Sequence, residues 1–178
     1  MKGKIILSGE EAYVMHLELP KACRHELWQM VKDELGIRLR NTEDILFDFA
    51  VCSKDSNKYS VVVYCIKTRL NYEGVKLKGV YPLQFYVLKK YIHRIKERSC
   101  YLLFFYENKL YLINLEKGIM VMNSVSDYID GLMHTDFCSG PGEIRTLYHI
   151  NISKELLDSL PAENLKLVDL GMFEKGFI

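Results

Sequence analysis

Cys100-Tyr101-Leu102-Leu103-Phe104-Phe105-Tyr106, then Lys109-Leu110-Tyr111-Leu112-Ile113-Asn114, then Ile119-Met120-Val121-Met122-Asn123 follow one another with short breaks at Glu107-Asn108-Lys109 and Glu116-Lys117-Gly118. Runs this dense in aromatic and aliphatic residues, separated by hairpin-length polar turns, predict three consecutive antiparallel strands. Beyond them Ser124 or Ser126 is expected to cap a helix through about Met133. Ile144–Ile150 reads as a strand, Ser153 as the cap of a helix over Lys154–Leu160, and Leu165–Leu170 as the closing strand. The order from Ser99 onward is therefore βββαβαβ. Hairpin turns followed by crossover-length connections predict one sheet, its first three strands antiparallel and its last two joined through helices.

Upstream, Lys4–Ser8 and Ala12–Leu19 read as short strands around Gly9-Glu10-Glu11, the second with Tyr13, Met15 and Leu17 on one face. Pro20 is expected to open a helix with Cys23, Leu27, Met30, Val31, Glu34 and Leu35 at helical spacing, and Gly36 to stop it. Ile45–Val51 and Tyr59–Ile66 predict a hairpin across a polar loop. The unbroken run Val61-Val62-Val63-Tyr64-Cys65-Ile66 predicts a strand covered on both faces. A short helical stretch ends near Gly74, and Val75–Val80, alternating valine or leucine with lysine, reads as an edge strand. Pro82 starts a helix whose buried stripe is expected at Val87, Leu88, Tyr91, Ile92 and Ile95. A boundary near Arg98 divides the chain into a first lobe, 1–98, and a second, 99–178.

The 178 residues suffice for one good core or two small lobes. A hydrophobic content of 49% with 26% charged residues is that of an ordinary globular chain. Lys+Arg 24 against Asp+Glu 23 leaves a net charge of +1, so no whole-molecule field draws in nucleic acid or an anionic membrane. The twelve tyrosines alternate largely with aliphatics in strands, which makes them core-rim residues rather than stacking platforms for bases. Five cysteines with no C-x-x-C pair make a poor disulfide framework and point to a reducing compartment. No apolar run is long enough to span a bilayer.

Candidate chemistry is thin. His134, Asp136 and Cys138 cluster, but a structural zinc site wants four N/S ligands and no second pair stands at suitable spacing. Ser139-Gly140-Pro141-Gly142 has glycines enough for a phosphate loop, yet Pro141 removes a donor from its middle. No catalytic, cofactor-binding or metal-binding residue is therefore expected. Lys89, Lys90, His93, Arg94, Lys96 and Arg98 form a basic surface around the end of a helix. It serves either to offset the helix dipole or to dock an acidic partner or lipid headgroups.

Three further stretches carry a resemblance: Met15-His16-Leu17-Glu18-Leu19-Pro20; Glu26-Leu27 through Glu34-Leu35; and Thr42-Glu43-Asp44-Ile45-Leu46-Phe47-Asp48-Phe49. With the strands and hairpins after them, they resemble the cytoplasmic actin-like domain shared by type IV pilus assembly protein M and type II secretion protein L. The resemblance implies an α/β fold of two actin-like, ribonuclease H-like subdomains, the second being βββαβαβ. The pilus M branch binds ATP through Gly- and Asp-containing hairpin turns in its two lobes. This chain has no opening Asp-x-Gly hairpin, as though it begins inside the first lobe, and Glu107-Asn108-Lys109 stands where the second such turn would be.

The chain is therefore expected to be a non-catalytic scaffold, closer to the secretion L branch, that recruits an assembly ATPase to an inner-membrane platform. Its expected place is the cytoplasmic face of the bacterial inner membrane, reached only through a segment absent from this chain. No cofactor and no nucleic acid are expected. The partner face is placed at Val75 and Leu77, whose strand edge offers main-chain pairing, and at the adjoining Lys89, Lys90 and Arg94. The alternatives are an actin-like nucleotide-binding enzyme, a ribonuclease H-like nuclease or an unrelated α/β adaptor. Nuclease chemistry needs carboxylates around two metal ions, and Cys100–Tyr106 has no acid to begin the set.

Overall fold

The structure is a computed structural model that describes residues 2–9, 12–39, 44–55, 57–67, 76–127, 144–160 and 164–173. Its strands are β1 (Lys2–Leu7), β2 (Tyr13–Pro20), β3 (Ile45–Lys54), β4 (Lys58–Lys67), β5 (Lys76–Pro82), β6 (Cys100–Tyr106), β7 (Lys109–Glu116), β8 (Ile119–Asp127), β9 (Arg145–Ile150) and β10 (Leu165–Asp169). Its helices are α1 (Arg24–Arg38), α2 (Leu83–Tyr91) and α3 (Lys154–Asp158). The chain divides into two compact units, one essentially Ala12–Lys76, the other Lys2–Glu11 with Leu77–Ile178. The division thus falls at β5, earlier than the boundary expected near Arg98. A buried hydrogen bond from Gln84 of α2 to Asn123 of β8, 3.2 Å long, ties this helix to the strands after it.

The larger unit holds a five-stranded sheet ordered β10-β9-β6-β7-β8. β6, β7 and β8 are antiparallel neighbours, whereas β9 runs parallel to β6 and β10 parallel to β9. Both hairpins close with two residues, and all four have positive φ: Glu107 48°, Asn108 61°, Lys117 53° and Gly118 81°. Two left-handed residues in a two-residue loop are the backbone signature of the type I′ turn, whose twist matches that of the strands. Gly118 meets the demand without strain, whereas Glu107 holds an unfavourable conformation for a side chain with a Cβ. Tyr101, Leu103, Leu110, Leu112, Leu147 and Leu160 form the core on one face of this sheet. Ser153 caps α3 as expected, its Oγ accepting from the Leu156 N–H at 3.3 Å. Ser124 and Ser126 instead lie inside β8, paired with Leu112 and Leu110, because the edge strand continues past Asn123. The helix expected after them lies outside the described residues.

β1 does not pair with β2, its neighbour in sequence. It pairs with β5 in a two-stranded sheet, so the smaller unit is inserted between two strands that lie side by side. After β5, Pro82 stands at the N-cap of α2 as expected. The helix buries Leu83, Gln84, Val87 and Tyr91, while Ile92 is half-exposed and lies past its end. The stripe is displaced toward the first turn because the helix ends at Tyr91 rather than continuing through Ile95.

The inserted unit is a three-stranded antiparallel sheet ordered β2-β4-β3, with α1 packed on one face. Leu27, Val31 and Leu35, four residues apart on α1, meet Met15, Leu17, Leu19, Phe49, Val61, Val63 and Cys65. Central β4 buries Val61 through Ile66 without a break, as its unbroken apolar run predicts. Met15 and Leu17 are buried, whereas Tyr13, at the first position of β2, stands 56% exposed. Pro20 ends β2 rather than opening a helix. The helix begins after Cys23, whose N–H donates to the Glu26 carboxylate at 2.8 Å, one half of a capping box. Gly36 lies within α1 with open space around it and does not stop the helix. Leu39 ends it in extended conformation, bonded to the Leu35 carbonyl.

Candidate functional site

The turn between β6 and β7 is where the resemblance would put a phosphate-gripping hairpin, and here its Glu107 side chain and the neighbouring Tyr111 are contacted by the chain's own Ser8 and Gly9. The Ser8 hydroxyl donates to the Glu107 carboxylate at 2.8 Å, and the Gly9 N–H donates to the Tyr111 hydroxyl at 2.7 Å. Gly9 is left-handed, φ +82°, and a Cβ there would touch the Lys109 side chain at 3.4 Å, so glycine lets the segment lie this close. Burial raises the Tyr111 pKa above the ordinary phenol value, the Gly9 N–H opposing part of the rise. The backbone donor that approaches the turn is spent on a phenol, and the turn's own side chain is an acid. A phosphate brought here would meet the Glu107 carboxylate, with the nearby Lys109 ammonium already paired with Asp127 at 3.7 Å.

Beside this turn a cavity of about 600 Å³ opens, lined by Phe105, Asn108, Asn151, Ile152, Ser153, Leu156, Asp169, Gly171 and Met172. It lies beyond the carboxyl ends of the parallel strands β6, β9 and β10, the place where open α/β sheets bind ligands. Asn151, φ 55°, knits the strand ends together: its N–H donates to the Gly171 carbonyl at 2.9 Å and its side-chain amide to the Phe105 carbonyl at 3.1 Å. Left-handed Gly171, φ +86°, donates its N–H to Asp169 Oδ1 at 2.7 Å. No motif in the sequence marks this cavity. The available signals were an Asn and a Gly just past two strand ends, positions where left-handed backbone is needed.

Buried His149 on β9 places Nδ1 3.6 Å from Asp169 Oδ1. Burial lowers its pKa below the ordinary imidazole value and the Asp169 carboxylate opposes the shift. The unfolded chain then takes up the proton first as pH falls, so this stabilisation is complete above pH 6.5 and is lost on acidification below it. Unfolding free energies from urea denaturation between pH 7.5 and 5 should fall, by no more than about 1.4 kcal/mol per pH unit for this one group. The His149→Gln variant should show a shallower decline, and an unchanged slope would assign the acid sensitivity to other groups.

The five expected partner residues are scattered in their status. Val75 lies outside the described residues, as do His134, Asp136, Cys138 and the Ser139–Gly142 loop. Leu77 lies on β5, which has β1 as its one neighbour among the described residues. Lys89 and Lys90 are exposed in the last turn of α2, and exposed Arg94 follows it, its N–H donating to the Tyr91 carbonyl at 2.8 Å. Lys90 and Arg94 lie over the rings of Tyr86 and Tyr91, at 5.7 and 5.6 Å. Two of the three cations thus rest against aromatic rings on the surface. Buried Cys65 and Cys100 behave as small apolar residues, burial pushing their thiols up to about 11 and about 12, while Cys52 is half-buried and Cys23 exposed.

No family model and no curated protein matches the sequence. Among solved structures, the chain is similar to one in a PilM–PilN type IV pilus biogenesis complex, with TM-score 0.53 and 16% identity over 70% of this chain and 42% of the other. The chain thus spans less than half of that protein's length. It is more loosely similar to the cytoplasmic domain of EpsL, an inner-membrane component of the type II secretion system of Vibrio cholerae (TM-score 0.47, 16% identity, 92% of this chain and 63% of that one). A third likeness is to a Bacteroides thetaiotaomicron protein with an actin-like ATPase fold and unknown function (TM-score 0.46, 11% identity, 96% and 68%). The pilus likeness establishes a shared mixed α/β fold, and it falls on the family that the sequence resembles. No described helix is long and apolar enough to cross a membrane.

Proposed function

We propose that this chain is a non-catalytic scaffold of a type IV pilus or type II secretion machine, recruiting the assembly ATPase to the inner-membrane platform from the cytoplasmic side. The observation that carries this is the β6–β7 turn. Glu107 and Tyr111 engage Ser8 and Gly9 where a nucleotide-binding relative would need open backbone donors. The likeness in fold to a chain of a pilus biogenesis complex supports the choice of machine. The docking face is the β5 edge with Lys89, Lys90 and Arg94, exposed cations suited to an acidic surface of the ATPase or of a platform protein.

Surface charges chiefly speed association, with little effect on the fold. Reversing Lys89, Lys90 and Arg94 together to Glu should slow association with the ATPase at least about threefold at low salt and flatten its salt dependence. Buried Leu83, Gln84, Val87 and Tyr91 are untouched, and each cation–π interaction removed is worth only about 0.5–1 kcal/mol. Surface plasmon resonance at two ionic strengths reads both quantities. Equal rates for a folded triple variant would return these residues to a solvated helix end.

A further inference from the structure

Several donors around the cavity beyond β6, β9 and β10 are engaged within the protein, while the Asn108 amide and the Ser153 hydroxyl donate to nothing among the described residues. The Asn151 N–H goes to the Gly171 carbonyl, the Asn151 side-chain amide to the Phe105 carbonyl, the Gly171 N–H to Asp169 Oδ1, and the Leu156 N–H to Ser153 Oγ. None of the lining residues is Lys, Arg or His. Among the described lining residues an anion would find a carboxylate and no cation, with only the neutral Asn108 and Ser153 as donors. The one charged group in the lining is an acceptor: the Asp169 side chain is 69% exposed, and its Oδ2 takes no hydrogen bond among the described residues. Phe105, Ile152, Leu156 and Met172 supply apolar wall around it. The volume lies within the range of small-ligand pockets, roughly 300–1,000 Å³.

We propose that this cavity binds an ammonium or guanidinium group carried on an apolar stem, the cation on the Asp169 carboxylate and the stem against Phe105, Ile152 and Leu156. The position favoured for ligands by the parallel strands is kept, while the preferred charge of the ligand is opposite to that of a nucleotide. The same chemistry has two sources, a free arylalkylamine or an arginine side chain presented by a partner. Neither requires the docking face on α2, so this site and that face are tested separately.

Isotope-labelled protein titrated with 2-phenylethylamine, with N-acetylarginine amide and with phenylacetate, followed by NMR, decides it. Both cations should give saturable shifts at Phe105, Ile152, Leu156 and the Asp169–Met172 segment, with phenylacetate at least about tenfold weaker. Tighter binding of phenylethylamine points to a free amine, and tighter binding of the arginine amide to a partner's side chain. Asp169→Asn keeps the oxygen that Gly171 bonds and should weaken both cations about fivefold or more, while Met172→Glu, at a position 76% exposed, should tighten them. Phenylacetate binding as well as the amine, no saturable shift at these residues below about 10 mM, or unchanged affinity in a folded Asp169→Asn protein would each overturn the proposal.

Discussion

Leu103→Ala should lower the stability of the larger unit by about 2–5 kcal/mol, the range for leucine deletions in a packed interior. Leu103 has no exposed surface. It sits mid-strand on β6, opposite Leu112 of β7 and beside His149 of β9, and packs with Tyr101, Leu110, Leu147 and Leu160. Neighbours from three paired strands cannot collapse around the missing methyls without breaking ladder hydrogen bonds, which favours the upper part of the range. Urea denaturation followed by near-ultraviolet circular dichroism would report it, since the core holds Tyr101 and lies on the sheet that carries the stacked Phe104–Tyr111 pair. A loss below about 1 kcal/mol would mean that this face of the sheet is not a close-packed interior.

The inserted unit has its own equivalent. Leu35→Ala, 1% exposed in the last turns of α1, removes the end of the Leu27-Val31-Leu35 stripe from the β2-β4-β3 sheet. The expected loss is again about 2–5 kcal/mol, read from hydrogen exchange of the α1 and β4 amides. Ile37→Ala, two residues on and 80% exposed, should change stability by no more than about 0.5 kcal/mol. The contrast tests the orientation of α1 directly. Similar losses at both positions would show that the helix face is misassigned.

The second half of the chain was legible because its signals are local. Three dense apolar runs with short turns can do little but pair, and Ser153 marks its helix by side-chain chemistry that acts within one turn. The pairing of β1 with β5 was not legible: the two strands are separated by a complete inserted unit, and nothing in either run specifies so distant a partner. Pro20 and Gly36 misled for a related reason. Proline fits the end of an edge strand as well as the start of a helix, and β2 is an edge of its sheet. Gly36 costs the helix about 1 kcal/mol relative to alanine, a loss that burial of Leu35 beside it outweighs.

The candidate sites divide along the same line. The Glu107-Asn108 turn was visible as a motif lacking glycine, but its engagement by Ser8 and Gly9 joins stretches far apart in the chain. The cavity is assembled from three such stretches, around 105–108, 151–156 and 169–172. Each by itself reads as an ordinary strand end. The basic surface on α2 was readable residue by residue because lysines at the end of a helix face outward whatever the fold.

The most direct test of a scaffold without nucleotide chemistry is the thermal denaturation midpoint of the purified chain, titrated with Mg-ATP into the millimolar range. With the β6–β7 turn engaged as described, the midpoint should not move with ATP concentration beyond the shift caused by a non-nucleotide salt of equal ionic strength. A ligand held at a hundred times its dissociation constant would add about 2.7 kcal/mol, a rise of roughly 5–10 °C for a chain of this size. A saturable rise of that order, specific to ATP, would contradict the proposed scaffold role and make the protein a nucleotide binder.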